Sequence, residues 1–336
     1  MKILLFFEKQ NMIKQSGIGR ALSHQKQALE LANVDYTLDE HQEFDLAHIN
    51  TLFNHSYKLL KKCKKKGIRV IVHGHSTKED FKYSFRVWRL IAPFFNRMIL
   101  KMYRHADAII TPTAYSKSLI ENYKGVNCPV YAVSNGIRLE DYQYNEEAVL
   151  EFDNYFKIQN KKIVICAGLY FERKGIYDFF EVARRMPEVE FIWFGYLKPS
   201  LAPMKINRAI KHRPKNVRMP GYVDIKVLRG AFYRADAFMF LSKEENEGIA
   251  VLEALASKLP VIVRDIPVFD GWLEDKKDVL KGKTVEDFMN HLNYIFTHDM
   301  TEMKESAYQV LEQRTLDKVG NQLKDIYEIE YKKDCK

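Results

Sequence analysis

The chain is poor in anything that would commit it to a special environment. Its 336 residues include four cysteines, Cys63, Cys128, Cys166 and Cys335, scattered without metal-like pairing. That usage fits free thiols in a reducing cytosol. No apolar run approaches the roughly 20 residues that a bilayer-spanning helix needs. The opening Met-Lys-Ile-Leu-Leu-Phe-Phe is stopped by Glu8-Lys9-Gln10, too short for a signal peptide, and reads as a first strand. A short solenoid repeat is absent, as are a zinc pattern and an RNA-binding aromatic signature, so nucleic acid is not an expected partner. Acid is in deficit: 53 Lys and Arg face 44 Asp and Glu, a net charge of +9 that by itself implies an anionic partner, whether nucleic acid, a membrane surface or a phosphorylated substrate.

What is present is ordinary globular material, 46% hydrophobic and 29% charged, long enough for two domains. Short apolar runs alternate with helical patterns, which predicts α/β layers built on parallel sheets. Strands are expected at 2–7, 46–49, 70–73, 108–111 and 130–133, with helices at 19–32, 57–66 and 116–123. A second series places strands at 163–167, 190–194, 217–219, 237–241 and 261–263, with helices at 175–186, 226–235, 248–257 and 285–296. The organisation expected is a first Rossmann-like domain over 1–142, a polar junction at 143–161, a second such domain over 162–300, and a helical tail over 301–336.

Ligands of open parallel sheets bind beyond the carboxyl ends of the strands. After the strand at 237–241 comes Ser242-Lys243-Glu244-Glu245-Asn246-Glu247-Gly248, running into Ile249-Ala250-Val251-Leu252-Glu253-Ala254. A helix opening at Gly248 offers unpaired backbone N–H groups and the positive end of its dipole, a seat for phosphate. Glu253 is the single charge in an apolar helix, costly unless a polar group meets it. Glu245 and Glu253 bracket that helix start. After the strand at 163–167, the turn from Gly168 to Gly175 carries Arg173-Lys174, two cations suited to a diphosphate. Spacing alone leaves open an acidic surface turn, a solvent-facing glutamate and a solubilising cation pair. Ser16-Gly17-Ile18-Gly19-Arg20 and His73-Gly74-His75 close strands of the first half. An ordinary helix start and a structural histidine remain alternatives for these two.

Taken together, Ser16-Gly17-Ile18-Gly19, His75, Asn135-Gly136, Gly168 with Arg173-Lys174-Gly175, and Glu245 with Glu253 resemble the retaining glycosyltransferases of family 4, over nearly the whole chain. The resemblance implies a GT-B fold: α/β, two Rossmann-like domains facing a central cleft, with a C-terminal helix crossing back to the first. It implies that Arg173 and Lys174 hold the diphosphate of a UDP-sugar and that Glu253 binds the ribose. The amides of Gly248 and Ile249 would meet phosphate, and Glu245 and His75 would contact the transferred sugar. Gly17, Gly19 and Gly168 would line the donor site, and Glu245, His75, Arg173 and Lys174 would be catalytic. The chain departs from the pattern at Leu169-Tyr170, where an arginine is usual, at Glu247 for an aromatic, and at Arg138 for an acid. Val72 to Phe81, Phe191 to Gly195 and Arg264 to Phe269 are similar to the bacterial enzymes that add a second hexose to monoglucosyldiacylglycerol. The implied substrates are therefore UDP-glucose, or UDP-galactose, and a glycolipid acceptor. With no Asp-x-Asp triplet in the chain, no metal and no other cofactor is expected.

Residues 81–104 independently suggest a lipid surface. Phe81, Phe85, Trp88 and Ala92 share a helical stripe beside Lys82, Arg86 and Arg89. After Pro93, Phe95, Met98 and Met102 form another beside Arg97, Lys101 and Arg104. Lys58, Lys61, Lys62 and Lys65 add a basic face. Apolar faces bordered by cations suit an in-plane interfacial helix, and the membrane-binding set is Lys61, Lys62, Lys65, Arg86, Trp88, Arg89, Phe95, Arg97 and Lys101. The expected location is peripheral, at the cytoplasmic face of an anionic membrane.

Overall fold

The computed structural model describes residues 1–9, 17–82, 84 and 88–333, which form two compact units. Ser16, Phe85, Arg86 and Cys335 lie outside the described residues. In chain order the first half runs β1 (Lys2–Phe6), α1 (Gly17–Leu31), β2 (Asp35–Thr37), β3 (Leu46–Ile49), α2 (Asn54–Lys65), β4 (Arg69–His73), α3 (Trp88–Tyr103), β5 (Ala108–Thr111), α4 (Ala114–Glu121) and β6 (Val130–Ala132). After a 3-10 turn at Leu139–Tyr142 come α5 (Glu146–Phe156), β7 (Ile163–Ala167), α6 (Ile176–Arg185), β8 (Glu190–Phe194), α7 (Met204–Lys211), β9 (Val217–Gly221), α8 (Ile225–Arg234) and β10 (Ala237–Phe240). Then follow α9 (Ile249–Ala256), β11 (Val261–Arg264), β12 (Leu280–Gly282), α10 (Val285–Thr297), α11 (Thr301–Val310) and α12 (Leu316–Lys332). No helix among the described residues is long and apolar enough to cross a membrane.

The first unit joins Met1–Phe81, Arg89–Arg138 and Gln313–Lys336 around a parallel sheet ordered β2-β1-β3-β4-β5-β6. Its strands are apolar on both faces because helices cover both. Leu4, Phe6, Ala47, Ile49, Val70 and Val72 pack into one cluster with α2 and α3. The alternate residues Ile3, Leu5, Leu46 and Ile71 pack into another with α1 and α12. Gly320 sets that second packing: a Cβ there would lie 2.0 Å from the Ala28 carbonyl oxygen, so the helices approach backbone to backbone. The last helix, α12, is thus part of the first unit.

The second unit comprises Lys82–Trp88 and Leu139–Glu312 around a parallel sheet ordered β12-β11-β10-β7-β8-β9. The sequence reading is refined in several places. The region 143–161, read as a junction, holds α5, capped by the Asn145 side chain and packed on α8. The contact depends on Gly230, whose Cβ would fall 1.9 Å from the Ala148 carbonyl oxygen. The tail is helical, α11 and α12 being joined by a 3-10 turn at Leu311–Arg314, and its two parts belong to different units. The edge strands β2 and β12 have three residues each, too few for a period to register. In α7, where only Ile206 is fully buried, the apolar face is too narrow to read.

Candidate functional site

In the second unit β7 and β10 are hydrogen-bonded neighbours, so the loops leaving their carboxyl ends abut. The Lys243 amide donates to the Arg173 carbonyl at 2.7 Å. Gly175 makes the approach possible: at φ +79°, its missing Cβ would sit 2.3 Å from the Leu241 carbonyl oxygen. Gly168 is tied to the next strand, its amide donating to the Phe194 carbonyl at 2.9 Å.

This backbone brings Arg173, Lys174 and Glu245 into one contact. Arg173 donates from Nη1 to Glu245 Oε1 at 3.3 Å and to the Glu244 carbonyl at 2.9 Å, and from Nε to Ser84 Oγ at 2.9 Å. Lys174 Nζ meets the same Glu245 oxygen and lies 5.1 Å from the Phe240 ring centroid. Burial pushes the Glu245 carboxyl upward, but the Lys174 and Arg173 charges prevail and hold it below the usual carboxylate range. Burial lowers the Lys174 ammonium, and the nearby Arg173 adds to this against the pull of Glu245. Two cations share one carboxylate, leaving a surplus positive charge in a low-dielectric setting that a diphosphate would neutralise.

The helix α9 begins beside this triad. Gly248, at φ +92°, is its N-cap without a side-chain capping bond, and Gly248 and Ile249 are half-buried at the opening. Glu253 is 1% exposed, and the Tyr142 hydroxyl donates to its Oε1 at 2.9 Å. That bond resolves the charge in the apolar helix. Tyr142, from the 3-10 turn before α5, was not a sequence candidate. It stands 111 residues from Glu253, and no local pattern links the two.

The first unit positions the remaining candidates. Gly17 and Gly19 open α1, and a Cβ at Gly17 would meet nothing within 4 Å. His75 follows β4, shares a 2.9 Å hydrogen bond from Nε2 to Asn50 Oδ1, and stacks on His73 with ring centroids 3.9 Å apart. His73 in turn bonds through Nδ1 to His48 Nε2 at 3.2 Å, and His48 Nδ1 meets the Tyr327 hydroxyl of α12 at 2.7 Å and Gln25 Nε2 at 3.0 Å. Burial lowers all three histidines, His48 and His75 to about 3 and His73 well below its usual value. The three rings form a neutral chain. Among the described residues no group of three or more His, Cys, Asp or Glu is arranged to hold a metal ion.

The cationic candidates Lys61, Lys62 and Lys65 on α2, and Arg89, Arg97 and Lys101 on α3, are exposed, while Trp88 is half-buried. Lys61 and Lys101 both sit over the Tyr57 ring, at 5.1 and 3.9 Å, which draws the two helices' charges together. The apolar part of the expectation is corrected. Phe95 stacks on Phe81 at 4.1 Å and packs on the core, and Met102 is fully buried. The side chains α3 leaves outside are Leu90, Ile91 and Phe94, at 81%, 39% and 68% exposure. The helix turns that face outward because Ile99, Met102 and Tyr103 anchor its other side.

Comparison with known proteins places this geometry in context. Residues 20–141 match the model described as Glycosyltransferase Family 4, and residues 150–310 the model described as Glycosyl transferases group 1. The chain is 51% identical to the processive diacylglycerol alpha-glucosyltransferase of Acholeplasma laidlawii, over 98% of both chains. It is 26% identical to the alpha-galactosylglucosyldiacylglycerol synthase of Streptococcus pneumoniae, over 80% of this chain and 68% of that one. In fold it is similar to Anabaena Alr3699/HepE, solved in complex with UDP-glucose: the TM-score is 0.76 at 14% identity, over 98% of this chain and 99% of the other.

Proposed function

The chain belongs to glycosyltransferase family 4, with a two-domain α/β GT-B fold, and from that membership we propose that it transfers glucose from UDP-glucose to diacylglycerol-type acceptors, monoglucosyldiacylglycerol among them, with retention at the anomeric carbon. The observation that carries the reading is the shared contact of Arg173 and Lys174 with Glu245 beside the opening of α9.

In this reaction the bond between the anomeric carbon and the β-phosphate oxygen breaks, and the acceptor hydroxyl oxygen takes its place. The departing phosphate takes the hydroxyl proton on the same face of the sugar. Negative charge grows on the β-phosphate as the bond stretches. Arg173, Lys174 and the first-turn amides of α9 are fixed where that charge develops, which is the form of stabilisation that lowers a barrier most. No metal is required in this scheme, because the chain's own cations meet the diphosphate. Glu253, held by Tyr142, takes the ribose hydroxyls, and Glu245 orients the sugar. Gly168 gives backbone access to the donor.

The acceptor is a lipid, and α2 with α3 supports a peripheral site on an anionic membrane at its cytoplasmic face. Leu90, Ile91 and Phe94 enter the interface, while Lys61, Lys62, Lys65, Arg89, Arg97 and Lys101 meet headgroups. Each cation near an anionic leaflet contributes about 1 kcal/mol. The relative's name describes it as processive, so acceptors with and without a first glucose both belong in the test.

That test incubates the protein with radiolabelled UDP-glucose or UDP-galactose, with diacylglycerol or monoglucosyldiacylglycerol in mixed vesicles, with and without EDTA. Glucosylated lipid from UDP-glucose, undiminished by EDTA, is the expected product. Label transferred only from UDP-galactose, or none reaching lipid, would overturn the assignment, and loss of turnover in EDTA would overturn the metal-free scheme.

A further inference from the structure

Glycosyl transfer leaves one surface of the second unit unused. From Glu190 to Asp224 the chain contains no acidic residue between those two, against seven lysines and arginines. Two of the seven serve the fold: Arg218 pairs with Glu190, and Arg213 donates to the Val217 and Ile210 carbonyls. The other five, Lys198, Lys205, Arg208, Lys211 and Lys215, are exposed, and none makes an ion pair among the described residues. Folding gains nothing from five unpaired like charges in one short stretch, because their mutual repulsion costs stability.

Helix α7 puts three of them, Lys205, Arg208 and Lys211, on one face. Ile206 is buried, and Ala209 and Ile210 pack partly on the core, so the opposite side presents Met204, Lys205, Arg208 and Lys211. Beside the cations stand two apolar side chains, Leu201 at 48% and Met204 at 69% exposure. An open cavity of about 700 Å³ lies between α6 and α7, bordered by Lys205, Arg208 and His212 and floored by Phe180 and Val285. Its carboxylates are engaged, Asp178 with Arg264 and Glu181 with Arg184, so the free charge around it is positive.

A cationic rim around an apolar floor, flanked by exposed Leu201 and Met204, matches a phosphate-bearing headgroup with its acyl boundary just beyond. We propose that this face binds the headgroups of an anionic phospholipid bilayer, giving the second unit a membrane contact of its own. The contact is independent of the α2–α3 surface and does not depend on glucosyl transfer. Two apolar side chains cannot hold a protein on a membrane, so the attachment is mainly electrostatic and falls with salt.

The test uses the full chain and measures co-sedimentation with phosphatidylcholine vesicles, with and without phosphatidylglycerol. The variants are Lys205→Glu/Arg208→Glu/Lys211→Glu and Leu201→Ser/Met204→Ser, each alone and combined with Leu90→Ser/Phe94→Ser on α3. An unchanged melting shift with UDP certifies the fold. The triple charge reversal is expected to weaken partitioning onto phosphatidylglycerol vesicles at least tenfold, in both backgrounds, with the difference shrinking as KCl rises. The serine pair is expected to weaken it less, and turnover of a detergent-dispersed acceptor to stay unchanged.

Unaltered partitioning in the triple variant overturns the proposal, even where the α3 changes abolish binding and the first unit's contact stands. A triple variant that loses single-stranded oligonucleotide binding but keeps vesicle binding overturns it in favour of nucleic acid. A melting shift in the intact protein with inorganic phosphate or glycerol phosphate, equal to that given by vesicles, overturns it in favour of a small-anion site.

Discussion

Tyr327, near the end of α12, shares a 2.7 Å hydrogen bond with Nδ1 of His48, a residue 279 positions earlier. Gln25 presents its amide nitrogen to the same Nδ1, so that atom accepts and the His48 proton sits on Nε2. Nε2–H then donates to His73 Nδ1, which places the His73 proton on its own Nε2, buried and without a partner. The order of protons along the chain is therefore set by Gln25 on α1, with the Tyr327 hydroxyl following it. In nitrogen-15 NMR, His48 and His73 are expected as neutral Nε2–H tautomers. Tyr327→Phe should leave the His48 tautomer unchanged, since Gln25 still donates to Nδ1, and cost about 1–2 kcal/mol in a urea melt. A Nδ1–H signal for His48 in the unaltered protein would refute the assigned order.

The same chain governs stability against acid. Each ring has a folded-state pKa below the ordinary histidine value, near 3 for His48 and His75. A group lowered on folding binds its proton more readily when unfolded, so its stabilising contribution is complete above about pH 6.5 and is lost as pH falls toward 3. Each histidine contributes a slope of about 1.4 kcal/mol per pH unit in that window. Urea midpoints should therefore drop between pH 7 and pH 5, before the carboxylates Glu245 and Glu330, also lowered on folding, begin to take protons. His73→Asn should flatten the slope, and a flat profile in the unaltered protein would contradict the burial of neutral imidazoles.

The sheets were legible because their strands are buried on both faces and read as continuous apolar runs, as in Ile163–Ala167 and Glu190–Phe194, whose bounds match. The meeting of Arg173, Lys174 and Glu245 was legible because they stand in the loops that follow the neighbouring strands β7 and β10, and Glu253 stood out as the one charge in an apolar helix. What stayed hidden depends on long-range pairing. Tyr142 is recognised only when Glu253 lies beside it, and Ser84 only when Arg173 does. On α3 the period was visible but not the side that faces inward. Pro93, within the helix, leaves the stripe's direction to packing, which chose Ile99 and Met102 over Phe94.

Glu245 holds two half-buried cations, so its replacement separates folding from binding. Glu245→Gln keeps the shape and an acceptor oxygen but leaves Arg173 and Lys174 without a compensating charge. Removing one partner of such a pair costs about 3–5 kcal/mol. UDP brings negative charge to the same cations, so the variant should melt lower alone yet show a larger UDP-induced rise than the unaltered protein. Turnover should fall at least tenfold, since the sugar loses the carboxylate that orients it. An equal or smaller UDP shift in the variant would mean that the diphosphate does not use these cations.

Glu253 and Tyr142 form the second contact whose removal is informative, and the two substitutions should rank in a fixed order. Glu253→Gln removes the charge that makes a ribose hydrogen bond strong, and the loss of one charge-assisted bond is about 1.5–3 kcal/mol, or roughly tenfold to a hundredfold in UDP affinity. Tyr142→Phe leaves the carboxylate in place but releases the 2.9 Å bond that aims it. Its cost in UDP affinity should be smaller, about threefold to tenfold, and the carboxylate, 1% exposed, would lose one partner in an apolar helix. Calorimetric titration of UDP into both variants and into the double variant checks this. If the tyrosine acts by positioning the glutamate, the double variant should bind no worse than Glu253→Gln alone, because once the charge is gone there is nothing left to aim. Additive losses would instead assign Tyr142 a contact of its own with the nucleotide.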